Sequence, residues 1–233
     1  MSTAFLNTAT AGPAAQSPFS AALAQAGAKF QSRDGWEIAT SFGDPAAEEQ
    51  ACATTVGWAD VSHLGKLEIQ GSAATLAGFH AAVGVTAPQA GIVAHGGSNR
   101  WLQLTPERAI VLCEPGDLPG LRETIGGAGV DLTSSLAGVT VIGPLARDTF
   151  SRFCALDLRE RELAIDGLRP GSVARMPGLL LREGPERFTV LFGSAYAAYF
   201  WEVLSDAGSR LGGRPVGSEA LNTAISKETQ TNA

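Results

Sequence analysis

The stretch Asp60-Val-Ser-His-Leu-Gly-Lys-Leu-Glu-Ile-Gln-Gly71 contains the pattern that decides the fold prediction. Its apolar residues Leu67 and Ile69 alternate with polar ones, which is typical of a half-buried β-strand, and Gly71 ends the strand. Residues 73–83 follow with the composition of a short helix. The chain uses this strand–helix order twice.

A second copy begins at Asp131 and reads Asp131-Leu-Thr-Ser-Ser-Leu-Ala-Gly-Val-Thr-Val-Ile-Gly143. In both copies an acidic residue, an aliphatic residue and a hydroxyl precede an apolar strand that ends at glycine. The second copy is one residue longer, which indicates a bulge or a loop insertion. A strand pair follows each copy, so two strand–helix–strand–strand units predict an α+β fold with pseudo-twofold symmetry. The halves are expected at about 57–125 and 126–215.

The domain is predicted to span residues 17–222. Residues 1–16 are small and polar and read as a mobile arm, and residues 223–233 read as a disordered tail. Asp44 and Pro45 form a helix start signal, which predicts a helix over 45–55.

Composition excludes several classes of protein. The 233 residues carry a net charge of −6, with 3 Lys and 14 Arg, so a general nucleic-acid binder is not expected. The three cysteines are far apart, which excludes a disulfide framework and indicates a reducing compartment. No secretory signal and no apolar run of membrane-spanning length is visible. The sequence therefore predicts a cytoplasmic protein that does not bind membranes.

Few residues are candidates for chemistry. Phosphate-loop, dinucleotide, zinc-protease and nucleophile-elbow motifs are missing from the sequence, and its three histidines occur in unrelated contexts, so no metal site is predicted. Asp60, His63 and Lys66 are candidate ligand contacts, although Asp60 and Ser62 are also residues that bond readily to nearby backbone. Candidates for binding a carboxylate are Arg175 and Arg182, together with Arg187, although each also suits a solvated strand face.

The motif Asp60-Val-Ser-His-Leu-Gly-Lys, with Phe42-Gly-Asp and Gly57-Trp before it, resembles the N-terminal signature of the glycine-cleavage T-protein family of folate-dependent aminomethyltransferases. Later segments, Asp157-Leu-Arg, Gly171-Ser-Val-Ala-Arg and Phe200-Trp-Glu, resemble the gamma subunit of heterotetrameric sarcosine oxidase, a short member of the same superfamily. The resemblance implies a T-protein-like folate-binding fold of two related α+β units around a central opening.

The family's reactive groups do not carry over onto this sequence. The segment in which T-proteins place a catalytic aspartate corresponds to Gly96-Gly97-Ser98-Asn99-Arg100-Trp101, which contains no carboxylate. Thr189 stands where the family has the glutamate that binds the pterin ring, and Ile110 stands where it has a pocket aromatic. A lost general acid or base costs about 10²–10⁴ in rate. The resemblance therefore implies no catalytic residue here.

Together these expectations predict that the chain is an accessory gamma-like subunit of a heterotetrameric sarcosine (N-methyl amino acid) oxidase. Its expected partners are flavoprotein alpha and beta subunits that carry FAD, FMN and NAD, while this chain binds no cofactor firmly and tetrahydrofolate is the one it could still hold. The alternative is a stand-alone tetrahydrofolate-dependent aminomethyltransferase. A third hypothesis, an iron–sulfur assembly factor of this superfamily, lacks its Lys-Gly-Cys signature, since Cys154 lies in Arg152-Phe-Cys-Ala-Leu.

Overall fold

The structure is a computed structural model that describes residues 15–231. The elements follow one another as β1 (Ala15–Gln16), α1 (Ser20–Gln25), β2 (Lys29–Arg33), β3 (Trp36–Ser41), α2 (Pro45–Thr54), β4 (Gly57–Asp60), β5 (Gly65–Gln70), α3 (Ala73–Ala82), β6 (Val93–Gly96), β7 (Asn99–Thr105), β8 (Arg108–Cys113), α4 (Leu118–Ile125), β9 (Gly129–Asp131), β10 (Leu136–Ile142), α5 (Ala146–Ser151), β11 (Leu168–Val173), β12 (Met176–Gly184), β13 (Arg187–Gly193), α6 (Ala197–Ser209), β14 (Arg214–Pro215) and α7 (Ser218–Thr231).

The two large sheets repeat one strand order. The six-stranded sheet has the order β11-β12-β13-β10-β4-β14, and the five-stranded sheet has the order β6-β7-β8-β5-β9. The strand β4 precedes β5 in the chain but pairs antiparallel with β10, and β9 precedes β10 but pairs antiparallel with β5. Each half therefore gives its first strand to the other half's sheet. This exchange confirms the α+β fold and the two pseudo-symmetric units that the sequence predicts.

The two large sheets pack face to face, and helices cover their outer faces. Between the sheets, Leu102 and Ile110 belong to one apolar cluster with Leu181 and Leu191 of the other sheet. The outer face of the six-stranded sheet is covered by α1, α5 and α6, and that of the five-stranded sheet by α3 and α4. These layers place a line of inward-facing side chains from both halves between the sheets.

The strand β5 is buried on both faces, which differs from the half-buried strand that the alternation predicts. Leu67 and Ile69 face the helices, whereas Lys66 and Glu68 face the second sheet and are also buried. Polar residues at alternate positions usually mark a solvent-facing side of a strand. Here that side of β5 faces the second sheet instead of solvent, so its polar residues are buried.

The C-terminal prediction is corrected by α7. The residues of 223–233 that the structure describes continue this helix up to Thr231 instead of forming a disordered tail, and residues 232–233 lie outside the described range. The helix packs on α2 and β3, with Leu221 buried and Ile225 against the same cluster. The carboxylate of Glu48 accepts a hydrogen bond from the backbone N–H of Gly217 just before the helix (2.8 Å). These tertiary contacts stabilise a segment whose own sequence pattern is weak.

Other local predictions have mixed outcomes. The predicted helix start at Asp44 is confirmed, because its side chain accepts a hydrogen bond from the N–H of Ala47 (3.0 Å) at the start of α2. The predicted arm falls mostly on residues 1–14, which lie outside the described residues, and Ala15–Gln16 pair with β3. Among the helices of residues 15–231, none is long and apolar enough to cross a membrane.

Candidate functional site

A cavity of about 130 Å³ lies where the two large sheets meet the β2–β3 turn and α7. The first half contributes the 60–64 turn and Arg100, and the second half contributes Thr140 and Glu183. One face of α7 lines it with Ser218, Leu221, Asn222 and Ile225. The sequence predictions Asp60 and His63 therefore come together here with residues that the sequence did not single out.

Asp60 ends β4 and holds the turn that follows it. One carboxylate oxygen, Oδ1, accepts a hydrogen bond from the backbone N–H of Ser62 (2.9 Å). Burial raises the pKa of Asp60, and hydrogen bonds from Ser17 and Ser62 and the positive charge of Lys66 oppose that rise. Asp60 thus bonds to nearby backbone, as its residue type favours, while it also lines the cavity.

His63 lies on the cavity wall and is half-buried. Its pKa is lowered to about 4 by burial and by the positive charges of Lys66, Arg33 and Arg100. The imidazole is therefore neutral at physiological pH, so it offers one donor and one acceptor to a neighbouring group.

Lys66 lies behind the same turn and does not line the cavity. Its side chain is fully buried, and Nζ donates hydrogen bonds to the carbonyl oxygens of Ser62 and Leu64 (both 2.8 Å). Burial lowers the pKa of this amine to about 8, while the nearby carboxylate of Asp60 acts in the opposite direction. Lys66 therefore fixes the turn that carries Asp60 and His63.

Glu183 supplies a second buried carboxylate of the cavity. Its side chain is only 5% exposed, and it accepts hydrogen bonds from the guanidinium of Arg100 and from the hydroxyl of Thr189. The Thr189 hydroxyl is also hydrogen bonded to that of Thr140 (2.7 Å). Burial acts to raise the pKa of Glu183, but the charge of Arg100 and the Thr189 hydrogen bond hold it below its ordinary value. Glu183 is therefore an anion with its partners already in place.

None of the three predicted arginines lines this cavity. Arg182 is buried on the opposite face of β12, where it donates to the carbonyl oxygens of Leu163 (3.0 Å) and Gly184 (3.2 Å). Arg175 lies exposed in the β11–β12 turn with a φ of 62°. Arg187 donates to the backbone carbonyl of Glu183 (2.8 Å) rather than to a ligand position. The structure thus keeps Asp60 and His63 at the cavity, places Lys66 behind them, and separates Arg175 and Arg182 from them.

The sequence does not identify Arg100 or Glu183 as residues of the site. They lie 83 positions apart on β7 and β12, and a single sequence carries no signal for such a pairing. Among the described residues, no group of three His, Cys, Asp or Glu side chains is arranged to hold a metal ion.

The fold has clear counterparts among solved structures. The aminomethyltransferase T of the glycine cleavage system from Bartonella henselae superposes with a TM-score of 0.69 at 17% identity, over 88% of this chain and 60% of that one. A chain of the heterotetrameric sarcosine oxidase from Corynebacterium sp. U-96, solved in complex with pyrrole 2-carboxylate, matches with a TM-score of 0.61 at 25% identity. The chain has a T-protein-like fold. The match to the sarcosine oxidase chain covers 75% of this T-protein-like chain and 95% of that one.

Sequence comparison supports the same superfamily. The T-protein-like chain is 27% identical to an aminomethyltransferase of Streptomyces avermitilis over 223 residues, and 46% identical to one of Picosynechococcus sp. over 46 residues. It spans 58% of the length of the Streptomyces protein, with 84% of its own length. No family model matches the chain.

The cavity does not fit whole tetrahydrofolate, the cofactor that this fold implies. Ligand pockets for molecules of that size are about 300–1,000 Å³, against about 130 Å³ here. The buried carboxylate of Glu183, which could accept hydrogen bonds from a pterin ring, already has Arg100 and Thr189 as donors. Both the volume and the donor set therefore disagree with a bound folate in this arrangement.

Proposed function

We propose that this chain is an accessory, gamma-like subunit of a heterotetrameric oxidase that uses flavin and folate and acts on sarcosine or a related N-methyl amino acid. The observation that carries the proposal is the extent of its matches. It covers 95% of a chain from a heterotetrameric sarcosine oxidase, but only 58–60% of aminomethyltransferases. The match to nearly the whole of a chain from a heterotetrameric sarcosine oxidase supports the role of the corresponding subunit.

The state of the cavity supports a role without catalysis. The segment Gly96-Gly97-Ser98-Asn99-Arg100-Trp101 contributes a cation, Arg100, to the cavity and contains no carboxylate. That cation engages Glu183, so this buried anion of the cavity is not available to a substrate. We assign no catalytic residue to this chain.

In this proposal the partners are flavoprotein alpha and beta subunits, and they carry FAD, FMN, NAD and the folate. This chain contributes a folded surface to the assembly. Its three cysteines are free thiols, which supports a reducing, cytoplasmic location. The net charge of −6 supports a partner that is neither nucleic acid nor membrane.

Native co-purification tests the proposal. The tagged chain is expressed in its own source cells, isolated under non-denaturing conditions and separated by size. A stoichiometric complex with visible flavin absorbance and sarcosine-dependent oxygen consumption is expected, and an unrelated protein with the same tag is the control. A chain that elutes alone, with no flavoprotein at equal amounts, would count against the accessory role.

The alternative function is a stand-alone tetrahydrofolate-dependent aminomethyltransferase. It is favoured by the similarity to the Streptomyces aminomethyltransferase and by the position of Asp60 and His63 on the cavity wall. Calorimetry of the isolated chain with tetrahydrofolate separates the two hypotheses. Micromolar binding would favour the transferase, and no measurable heat is expected for the accessory subunit.

A further inference from the structure

The pair formed by Arg100 and Glu183 crosses the cavity from one half of the protein to the other. Arg100 comes from β7 of the five-stranded sheet, and Glu183 comes from β12 of the six-stranded sheet. The Glu183 side chain is 5% exposed and that of Arg100 is 22% exposed, so both ends of the pair are largely removed from water. Removing one partner of such a pair lowers stability more than removing one partner of a surface ion pair, because the remaining charge is left buried and unpaired.

The surroundings of Glu183 have the form of a receptor for a planar cation. Oε1 accepts from Nη1 of Arg100, and Oε2 accepts from the hydroxyl of Thr189. The Thr189 hydroxyl is in turn hydrogen bonded to that of Thr140 (2.7 Å), so the six-stranded sheet holds Oε2 and Arg100 of the five-stranded sheet holds Oε1. The receptor therefore belongs to one half of the protein, and the group that it binds comes from the other half.

The guanidinium group is the part of Arg100 that the receptor recognises. A guanidinium group carries its positive charge on a planar set of N–H donors, and one of these, Nη1, donates to Oε1 of Glu183 while Oε2 accepts from Thr189. The rest of the Arg100 side chain fills space that would otherwise enlarge the cavity of about 130 Å³. The Arg100 side chain thus both lines the cavity and engages its carboxylate.

We propose that Arg100 is an internal ligand of this cavity, and that the chain without the Arg100 side chain has a binding site for a guanidinium or amidine group at Glu183. The inference depends on the geometry of the cavity and goes beyond the accessory role, because it holds whether or not a flavoprotein partner exists. It also assigns the chemical class of molecule that the site accepts: a small cation of the guanidinium or amidine type.

The test is chemical rescue of Arg100→Ala. This substitution leaves Cβ in place, so the deleted fragment corresponds to N-ethylguanidinium, which is the probe. We expect N-ethylguanidinium at millimolar concentration to raise the melting temperature of Arg100→Ala by several degrees and to leave the wild-type chain unchanged. Methylammonium at the same concentration should have no such effect. The double variant Arg100→Ala/Glu183→Gln should bind the probe at least tenfold more weakly.

The matched control is Arg108→Ala, which deletes an arginine that is also paired with a glutamate, Glu68, through two hydrogen bonds (2.9 and 2.7 Å). Arg108 is half-exposed and lies outside the cavity, so we expect no rescue of this variant. Equal stabilisation of the Arg100 and Arg108 variants would show a general effect of the cation and would overturn the proposal.

Refolding keeps the test decisive if Arg100→Ala does not fold alone. In that case its recovery from urea is compared with N-ethylguanidinium and with methylammonium in the refolding buffer. Recovery that requires the guanidinium supports the proposal. Absence of any difference, or a wild-type-like Arg100→Ala in which Arg187 has taken over the carboxylate and the probe does not bind, contradicts it.

Discussion

Ser62 and Thr133 make the same hydrogen bond in opposite halves of the protein. The hydroxyl of Ser62 accepts from the backbone N–H of Gly138 in β10 (3.1 Å), and the hydroxyl of Thr133 accepts from the backbone N–H of Lys66 in β5 (3.0 Å). Each hydroxyl thereby joins the turn after an exchanged strand to the strand beside it. The acidic residue two positions earlier, Asp60 or Asp131, accepts from the N–H of the hydroxyl residue (2.9 Å in both).

This relationship explains why the Asp-x-Ser/Thr pattern occurs twice. In both halves these hydrogen bonds hold the turn that follows the exchanged strand. The presence of the pattern in a sequence therefore indicates the fold and not a reaction. It also locates the extra residue of the second copy. Ser62 and Lys66 are four positions apart, whereas Thr133 and Gly138 are five apart, so the insertion lies in the turn.

We expect Ser62→Ala and Thr133→Ala to lower the free energy of unfolding by similar amounts, about 1–3 kcal/mol each. Each substitution leaves a buried backbone N–H without its acceptor. Urea unfolding followed by circular dichroism measures the change. Ser134→Ala, at an exposed position of the second turn, is the control and should change stability by less than about 0.5 kcal/mol. A Ser62→Ala variant as stable as the control would show that the hydrogen bond to Gly138 contributes no stability.

Arg100→Ala is expected to be strongly destabilising, by about 3–5 kcal/mol, because it leaves the Glu183 carboxylate buried without its cation. Adding Glu183→Gln should recover part of that loss, since it removes the unpaired charge. Thermal melts of the two single variants and the double variant form a double-mutant cycle. Additive losses would mean that the two side chains do not interact.

Glu183 should also contribute to acid unfolding. Its pKa is lower in the folded state than in the unfolded chain. Its stabilisation is therefore complete above the unfolded pKa of about 4.5 and is lost as the pH falls through the folded value. Unfolding curves taken below about pH 5 should show a smaller acid-induced loss for Glu183→Gln than for the wild-type chain. Equal losses would assign acid unfolding to other carboxylates.

The pKa shift of His63 affects stability at a higher pH than that of Glu183 does. Because its pKa is lowered from 6.5 to about 4 in the folded state, the unfolded chain binds more protons between these values, and stability falls as the pH decreases from 6.5 to 4. We expect His63→Gln to remove about 1–3 kcal/mol of this pH dependence. His95→Gln is the control, since His95 is half-exposed outside the cavity. A wild-type pH profile in His63→Gln would show that the imidazole titrates normally.

Gly217 fixes the start of α7 against β3. A Cβ at this position would collide with the backbone carbonyl oxygen of Thr40, so Gly217→Ala must displace the helix. We expect a loss of at least about 2 kcal/mol and faster hydrogen exchange in α7. Gly120→Ala in α4 is the matched control, because nothing lies within 4 Å of its Cβ, and it should gain up to about 1 kcal/mol. Unchanged exchange in α7 would contradict the role of Gly217.

The sequence predicts features that depend on neighbours along the chain. The internal repeat, the helix start at Asp44 and the hydrogen bonding of Asp60 all follow from residues within a few positions of one another. The burial of Lys66 and Glu68 does not, because it depends on a second sheet that packs over their face of β5.

The other features that the sequence does not predict also depend on tertiary contacts. Residues 223–231 form a helix because α2 and β3 offer them an apolar surface. Arg100 and Glu183 meet only because strands from opposite halves enclose one cavity.

The strand exchange has a consequence for how the chain acquires its structure. Asp60 pairs with Val139 and Leu67 pairs with Asp131, so neither large sheet is complete until residues from both halves have been synthesised. Pairings between residues this far apart in sequence close slowly, because loop closure precedes the stabilising contacts. A fragment of residues 57–125 would expose the edge of β5 where β9 belongs, and an unpaired strand edge is a site of aggregation. Synthesis of the first half therefore leaves an open edge that only the second half can protect, and the two halves form one cooperative folding unit.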